Sequence, residues 1–337
     1  MEKQAKTHVF EGRPAMKRIS LGATGLQVSR IAFGTWQIGG QWGTFDEDRA
    51  INAIHEARDL GINFFDTAQA YGFGASERLL GKALRGEITG DREGVVIATK
   101  GGVLPEGGRD TSADYLRQGV EQSLRALGVE TIDLYQVHWP DPTVPAAETA
   151  GVLQALVDEG KIRFAGVSNY DVRQMAEFAA VRPVDTLQPP YHLFRRGIEA
   201  EVLPYTIEHN IGVLAYSPLA SGLLTGRFDE NTTFEESDWR SQSTAFTGGA
   251  LKRNLAIVRR LAEFAQERGL TVAQLAIAWV LARPGVHVAI VGARSSGNIK
   301  ASAAAADVEL SAEDLSRIDD LTAGAVPIEG ATPEGVV

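Results

Sequence analysis

The chain has 337 residues, of which 44% are hydrophobic and 23% charged, with a formal net charge of −10 and no cysteine. This is the composition of a folded globular protein, and it excludes general disorder, disulfides and thiolate metal sites. The negative balance disfavours nucleic acid and anionic membranes as partners, no apolar run reaches membrane-spanning length, and Met1 to Pro14 lack the hydrophobic segment of a secretory signal, so a cytoplasmic setting without a metal is the expectation.

Residues 1–15 show no periodicity and are read as a disordered or tag-like tail or an extended start, 16–323 as one domain, and 324–337 as a C-terminal tail. Met16 to Leu21 and Leu26 to Ser29 alternate on both sides of a turn containing Gly22 and Gly25, which predicts a β-hairpin capping one end of the domain. Apolar strands then alternate with amphipathic helices. The sequence predicts Ile31 to Phe33 with a helix near 46–60, Asn63 to Phe65 with 76–85, Val95 to Thr99 with 112–127, and Ile132 to Val137 with 146–159. It continues with Arg163 to Val167 and 171–180, Thr186 to Gln188 and 198–209, Gly212 to Ala215 and helices near 252–268 and 271–283, and Val288 to Val291 and 296–305; a last helix covers 311–322.

Short runs of Val, Ile, Leu and Phe without polar alternation suit a parallel sheet buried on both faces. Eight such units with no break in composition favour a closed (β/α)8 TIM barrel, with extra C-terminal helices, over an open doubly wound sheet. Asp46, Ser76, Thr111 and Ser311 stand at expected helix N-caps, and Gly61, Gly128, Gly160 and Gly269 just past expected helix ends. The unpatterned stretch from Gly222 to Gly249 is too long for a passive connection and is expected to lie over the barrel mouth.

Three strands end on ionisable residues: Asn63-Phe64-Phe65 leads to Asp66, with Tyr71 five residues on; Val95 to Thr99 leads to Lys100; Ile132 to Val137 leads to His138. Singly, each has a bland alternative: a turn cap, a solvated lysine, a core histidine, a packing tyrosine. Jointly they form a set that packing alone does not explain, because in such barrels the C-terminal strand ends build the active-site rim. A carbonyl receiving hydride needs a proton, and a phenol is a weak acid unless a cation stands beside it. Lys100 would be that cation, Asp66 its counter-charge, and His138 a hydrogen-bond donor to the carbonyl oxygen.

This set resembles the catalytic tetrad of the aldo-keto reductases, carbonyl reductases that use a nicotinamide cofactor. The resemblance runs from about Met16 to about Leu321 through Phe65-Asp66-Thr67-Ala68 with Tyr71-Gly72, Gly160-Lys161-Ile162-Arg163, Gly166-Val167-Ser168-Asn169, Tyr216-Ser217-Pro218-Leu219 and Val291-Gly292-Ala293-Arg294. Val137-His138-Trp139-Pro140-Asp141-Pro142, Gln188-Pro189-Pro190-Tyr191 and Gly222-Leu223-Leu224-Thr225-Gly226 resemble a bacterial branch that includes a Bacillus general stress protein.

The resemblance implies NADP(H) as cofactor, NADPH preferred, with Asp66, Tyr71, Lys100 and His138 catalytic. It implies that Ser168, Asn169 and Gln188 hold the nicotinamide carboxamide, that Tyr216 stacks on the ring, and that Thr35 and Trp36 also meet the cofactor, as does Asp66. Ser217, Pro218, Leu219, Ser221, Gly222 and Arg227 would meet the pyrophosphate; Gly292, Ala293 and Arg294 the 2′-phosphate; Asn298 and Ser302, shorter than the glutamine and asparagine of many relatives, the adenine end. Ser168-Asn169 also reads as a cap for the helix after Asp171, and Arg294 as a solvated arginine. Trp36, Trp42, Trp139, Tyr191 and Phe194 follow predicted strands and are expected to line an apolar pocket for a small carbonyl substrate.

Gly34 to Gly40 does not fit the three-glycine dinucleotide fingerprint, which argues against a Rossmann dehydrogenase. Two other functions remain open: a cofactor-sensing binding module with little turnover, and a phosphate-handling lyase or isomerase using Lys100 as a Schiff base. The oligomeric state is not legible.

Overall fold

The first described residues form the hairpin: β1 (Arg18–Ser20) pairs antiparallel with β2 (Gln27–Ser29), with Ile19 opposite Val28. Eight later strands close a parallel barrel in the computed structural model, which describes residues 16–39, 46–236, 238–293 and 295–328. They are β3 (Ile31–Gly34), β4 (Phe64–Asp66), β5 (Val96–Gly101), β6 (Ile132–Val137), β7 (Ile162–Ser168), β8 (Thr186–Gln188), β9 (Gly212–Ala215) and β10 (Val286–Gly292). Each pairs with its neighbour in chain order, and β10 closes the ring on β3 with Ile290 opposite Ala32.

Around the barrel pack α1 (Glu47–Asp59), α2 (Ala75–Ala83), α3 (Arg85–Thr89), α4 (Ala113–Leu127), α5 (Ala146–Asp158), α6 (Val172–Ala179), α7 (Val202–Glu208), α8 (Gly248–Gln266), α9 (Val272–Ala282), α10 (Ser296–Ala303) and α11 (Ala312–Thr322). Strand side chains alternate between two apolar sets. Ala32, Phe64, Val96, Ala98, Leu134, Leu214, Val288 and Ile290 fill the barrel interior, while Ile31, Phe33, Phe65, Ile97, Tyr135 and Val137 face the helices. The hairpin belongs to the inner set: Leu21, Leu26 and Val28 plug the barrel at the strands' N-terminal end.

Several expected boundaries move. Ser76 does not cap its helix; α2 starts at Ala75 after Gly74, whose φ of 90° suits only a residue without a side chain, and the Ser76 hydroxyl is buried. Thr111 is not the cap: Ser112 holds that position without a side-chain cap bond, and the Thr111 carbonyl and hydroxyl oxygens lie 3.0 and 3.1 Å from the Thr149 hydroxyl instead. Asp46 and Ser311 cap as expected, each accepting the N–H three residues on. The helix expected over 198–209 breaks into a 3-10 turn, Gly197–Glu199, and α7. Of the two predicted tails, residues 1–15 and 329–337 lie outside the described residues.

Gly81 lets α2 approach α4: a Cβ there would lie 2.3 Å from the Leu127 carbonyl oxygen. Gly81→Ala is expected to lower stability by about 1–3 kcal/mol, the range for overpacking. Gly86→Ala, where a Cβ would meet nothing within 4 Å, is expected to be neutral or stabilising by up to about 1 kcal/mol. Urea unfolding of both variants checks the contrast.

Candidate active site

Strand alternation decides what reaches the barrel mouth. On β5, Val96 and Ala98 point inward, so Lys100 does too; on β4, Phe64 points inward and so does Asp66. The same parity turns His138 inward after Leu134 on β6, and it turns inward Ser168 on β7, Gln188 on β8 and Tyr216 after Leu214 on β9. These side chains gather at the C-terminal rim, where a cavity of about 450 Å³ opens.

At its floor the Lys100 ammonium donates to Asp66 Oδ2 at 2.8 Å and to the Thr67 carbonyl at 2.8 Å, and lies 3.5 Å from the Tyr71 hydroxyl. Its side chain is 1% exposed, that of Asp66 4%. The other carboxylate oxygen accepts from Gln188 Nε2 at 2.9 Å. The phenol ring stands edge-on to the His138 imidazole, ring centres 5.8 Å apart. Burial, with the Lys100 charge and then the Arg109 charge adding to it, holds His138 well below the ordinary histidine range, so the ring is neutral.

Tyr71 is presented by a turn rather than a strand. Its N–H donates to the Ala68 carbonyl and its carbonyl accepts the Ser76 N–H. The next residue must be glycine, since at Gly72 (φ 67°) a Cβ would stand 2.1 Å from the Gly39 carbonyl oxygen.

Above this floor, Asn169 adopts a left-handed conformation (φ 63°) and its amide is held on three sides. Nδ2 donates to the His138 carbonyl and to Ser168 Oγ, both at 3.0 Å, while Oδ1 accepts from the Tyr216 hydroxyl at 2.9 Å. The wall continues through Ser217, Pro218, Leu219, Ser221, Gly222, Arg227, Gly292, Asn298 and Ser302. Ser217, Ala220, Ser221 and Gly222 all have positive φ, between 49° and 101°. Such runs cost about 1–3 kcal/mol for each non-glycine residue and concentrate where a ligand is gripped. Amides at one end, hydroxyls and small residues along the wall and guanidinium groups beyond form a donor set that fits an elongated anionic dinucleotide.

Two expected cofactor residues are not in the cleft. Thr35 is fully buried, its hydroxyl donating to the Asp66 carbonyl at 3.1 Å, so its neighbours Gly34 and Trp36 face the cavity instead. Ala293 packs into the core. Arg294 lies outside the described residues.

The expected substrate pocket divides. Trp36 lines the cleft, and Trp42 lies outside the described residues. Trp139 and Phe194 line an adjacent cavity of about 650 Å³ that shares Asn169 with the cleft. Tyr191 reaches neither cavity: it is fully buried against Trp279, ring centres 5.1 Å apart, and its hydroxyl donates to Glu199.

The cleft also holds residues that the sequence reading missed, among them Gln37, Thr225, Arg240 and Thr271. Arg240 comes from the long stretch expected over the mouth and donates to the Ser221 carbonyl at 3.0 Å. Asp238 and Phe234 hold its guanidinium locally, with the Phe234 ring centre 4.5 Å away, but neither signals a cleft, which Arg240 reaches only through the distant Ser221 carbonyl. Thr271 carried a detectable signal, a capping box with Gln274, but only as a helix start.

The aldo/keto reductase family model matches residues 30–323. The chain is 43% identical over 311 residues to aldo-keto reductase YhdN of Bacillus subtilis (strain 168), covering 91% of this chain and 93% of that one. It is 33% identical over 325 residues to the NADH-specific methylglyoxal reductase of Escherichia coli (strain K12), covering 91% and 98%. Among solved structures, glycerol dehydrogenase AKR11B4 from Gluconobacter oxydans aligns with a TM-score of 0.86 at 40% identity, covering 94% of this chain and 98% of that one. An aldo/keto reductase from Klebsiella pneumoniae in complex with NADP and acetate aligns with a TM-score of 0.70 at 33% identity, covering 94% and 98%.

Burial also lowers His192, to about 3, and His287. In both, Nδ1 accepts a backbone N–H, from Phe194 and Val213, so protonation would break a bond as well as charge a buried ring. With folded values below the unfolded one near 6.5, the unfolded state binds more protons below that pH, and stability is lost as the pH falls through it. His192→Asn, which keeps an acceptor for the Phe194 N–H, is expected to flatten the fall in stability between pH 6.5 and roughly pH 4, as measured by urea unfolding across that range.

Proposed function

The chain belongs to the aldo/keto reductase family, and on that premise we propose an NADP(H)-dependent oxidoreductase that reduces aldehydes and ketones to alcohols, with Tyr71 as general acid. The observation that carries this reading is the buried Asp66–Lys100 pair with the Tyr71 hydroxyl 3.5 Å from the ammonium, at the floor of an open cleft. An aldo/keto reductase complex with NADP among the similar structures supports the cofactor class.

Ser168, Asn169 and Gln188 would hold the carboxamide end of the cofactor, Tyr216 its ring, and the Ser217 to Arg227 wall its phosphates. When bound, the nicotinamide supplies the hydride. The chain's own residues manage the proton and the charge. Tyr71 Oη gives its proton to the carbonyl oxygen as negative charge develops there, and the ammonium of Lys100 stabilises the phenolate left behind. Asp66 offsets that ammonium in a site too dry for a lone cation.

His138 contributes as a neutral donor. Its Nδ1 is buried with no hydrogen-bond partner among the described residues, and a buried unpaired acceptor is tolerated more readily than a buried unpaired N–H. The proton then sits on Nε2, available to the substrate oxygen. Trp36 makes the cleft side apolar without selecting one carbonyl compound.

Tyr71→Phe is expected to reduce single-turnover carbonyl reduction by roughly 10²-fold or more while the NADPH dissociation constant, read by fluorescence, hardly moves. Lys100→Met is expected to depress alcohol oxidation and to move its half-maximal pH upward, since loss of the cation destabilises the phenolate that serves as base. An unchanged pH profile, with a deuterium isotope effect present, would remove Lys100 from the mechanism.

NADPH is expected to bind more tightly than NADH. Arg294→Ala is expected to weaken NADPH by about 1.5–3 kcal/mol, the range for a charge-assisted contact, and to leave NADH nearly unchanged. The NADH-specific E. coli relative makes this comparison decisive, and parallel titrations with both cofactors perform it.

A further inference from the structure

We propose that Ser76 and Glu77, in the first turn of α2, are positioning residues that hold Tyr71 over Lys100; the inference rests on the proposed role of Tyr71 as proton donor. The turn that carries the phenol is irregular: Gly72, Phe73 and Gly74 all have positive φ, 67°, 45° and 90°. Its own backbone bonds are turn-like (Tyr71 N–H to the Ala68 carbonyl, Gly74 N–H to Gln69, Ser76 N–H to Tyr71) and shape the loop, whereas its placement on the barrel depends on what ties its two ends. Its entry is tied to the barrel by the Thr67 and Gln69 N–H groups, which donate to the Ala98 and Lys100 carbonyls.

Its exit is tied by side chains. Ser76 Oγ lies 2.6 Å from Thr35 Oγ1 and 2.9 Å from Thr67 Oγ1, and Thr99 Oγ1 donates to Glu77 Oε1 at 2.7 Å. Thr35, Thr67 and Thr99 are fully buried; the first two directly follow β3 and β4 and the third lies within β5, so one helical turn reads three adjacent strands. Two of these threonines touch the catalytic floor. The Thr67 carbonyl accepts from Lys100 Nζ, and the Thr35 hydroxyl donates to the Asp66 carbonyl. Thr99 immediately precedes Lys100, and by strand alternation faces the helices while Lys100 faces the cleft.

Glu77 is the informative member. It is 1% exposed, and burial raises its carboxyl above the ordinary glutamate range. An apolar side chain of similar volume would avoid that desolvation cost, so a carboxylate here reflects the directional bond it makes to Thr99. Together the Ser76 and Glu77 bonds transmit the register of the strands that bear Asp66 and Lys100 to the turn that bears Tyr71.

The test uses the full chain with four changes: Thr99→Val, Glu77→Met, Ser76→Ala and Glu77→Gln. The first three are expected to slow single-turnover reduction roughly 10- to 100-fold, as misplacement of a reacting group does, with NADPH affinity held within about twofold. Glu77→Gln, whose Oε1 still accepts from Thr99, is expected to restore the rate to within about threefold of wild type. In protein labelled with 3-fluorotyrosine, the Tyr71 resonance, assigned by its loss in Tyr71→Phe, is expected to shift and broaden in Thr99→Val and Glu77→Met and to return in Glu77→Gln.

Rates and resonance unchanged in Thr99→Val and Glu77→Met would overturn the proposal, as would a Gln variant no better than Met. The fluorine signal reports position whether or not turnover occurs. A wild-type protein that reduces no aldehyde would therefore overturn the proposed function, while the resonance would still decide the positioning role.

Discussion

The buried pair of Lys100 and Asp66 is the interaction to which the rest of the molecule is fitted. Two charges with side chains 1% and 4% exposed are costly to desolvate, and their attraction offsets that cost only when the remaining donors and acceptors are also satisfied. Here the ammonium meets a carboxylate, a carbonyl and a phenol, and the carboxylate meets an ammonium and an amide. Those partners come from β4, the turn after it, β5 and β8. The pairings Asp66 with Ala98 and Ser168 with Gln188 hold those strands in the register that brings the groups together. A slip of one residue would turn Lys100 toward the helices and leave Asp66 alone in the cleft, so barrel closure and site assembly are a single constraint.

On that rigid floor stands a wall built under strain. Asn169, Ser217, Ala220 and Ser221 adopt left-handed conformations that favour glycine. They persist because the barrel over-determines them: Asn169 alone is fixed by His138, Ser168, Tyr216 and Gln188. Asn169 is also the boundary between the cleft and the second cavity, lined by Trp139, Phe194 and the segment from Asp319 to Pro327. Apart from Trp139 and Asn169, this second cavity is built largely from loops and from the segment around the end of α11, parts that can vary without disturbing the floor.

Charge is managed differently in the two layers. In the helical layer, Asp133 is 1% exposed yet accepts from Arg92, Arg163 and the Ile97 N–H, so strand and loop are stitched by a saturated carboxylate. In the cleft, His138 Nδ1 is buried with no hydrogen-bond partner among the described residues, and burial keeps the ring neutral.

Much of this could be read along the chain because a strand side chain can point only two ways. Once Val96 and Ala98 are assigned to the interior, Lys100 must follow, and the same rule carries Asp66, His138, Ser168 and Gln188 to one rim. What the chain order could not show is where residues beyond the strands turn, since period-two geometry ends there. Trp36 and Tyr191 are both aromatic residues just past a strand, yet one lines the cleft and the other is buried on Trp279, a partner contributed by α9. Ser76 carried a cap's signature but is drawn inward by Thr35 and Thr67, and Arg240 enters the cleft from an unpatterned stretch. The local sequence determined the barrel, its strand ends and the charged floor, because each follows from the periodicity of a single element. The tertiary structure decided which residues beyond the strands line the walls, because residues such as Tyr191, Ser76 and Asn169 take their direction from contacts with Trp279, Thr35 and Tyr216, segments distant in the chain.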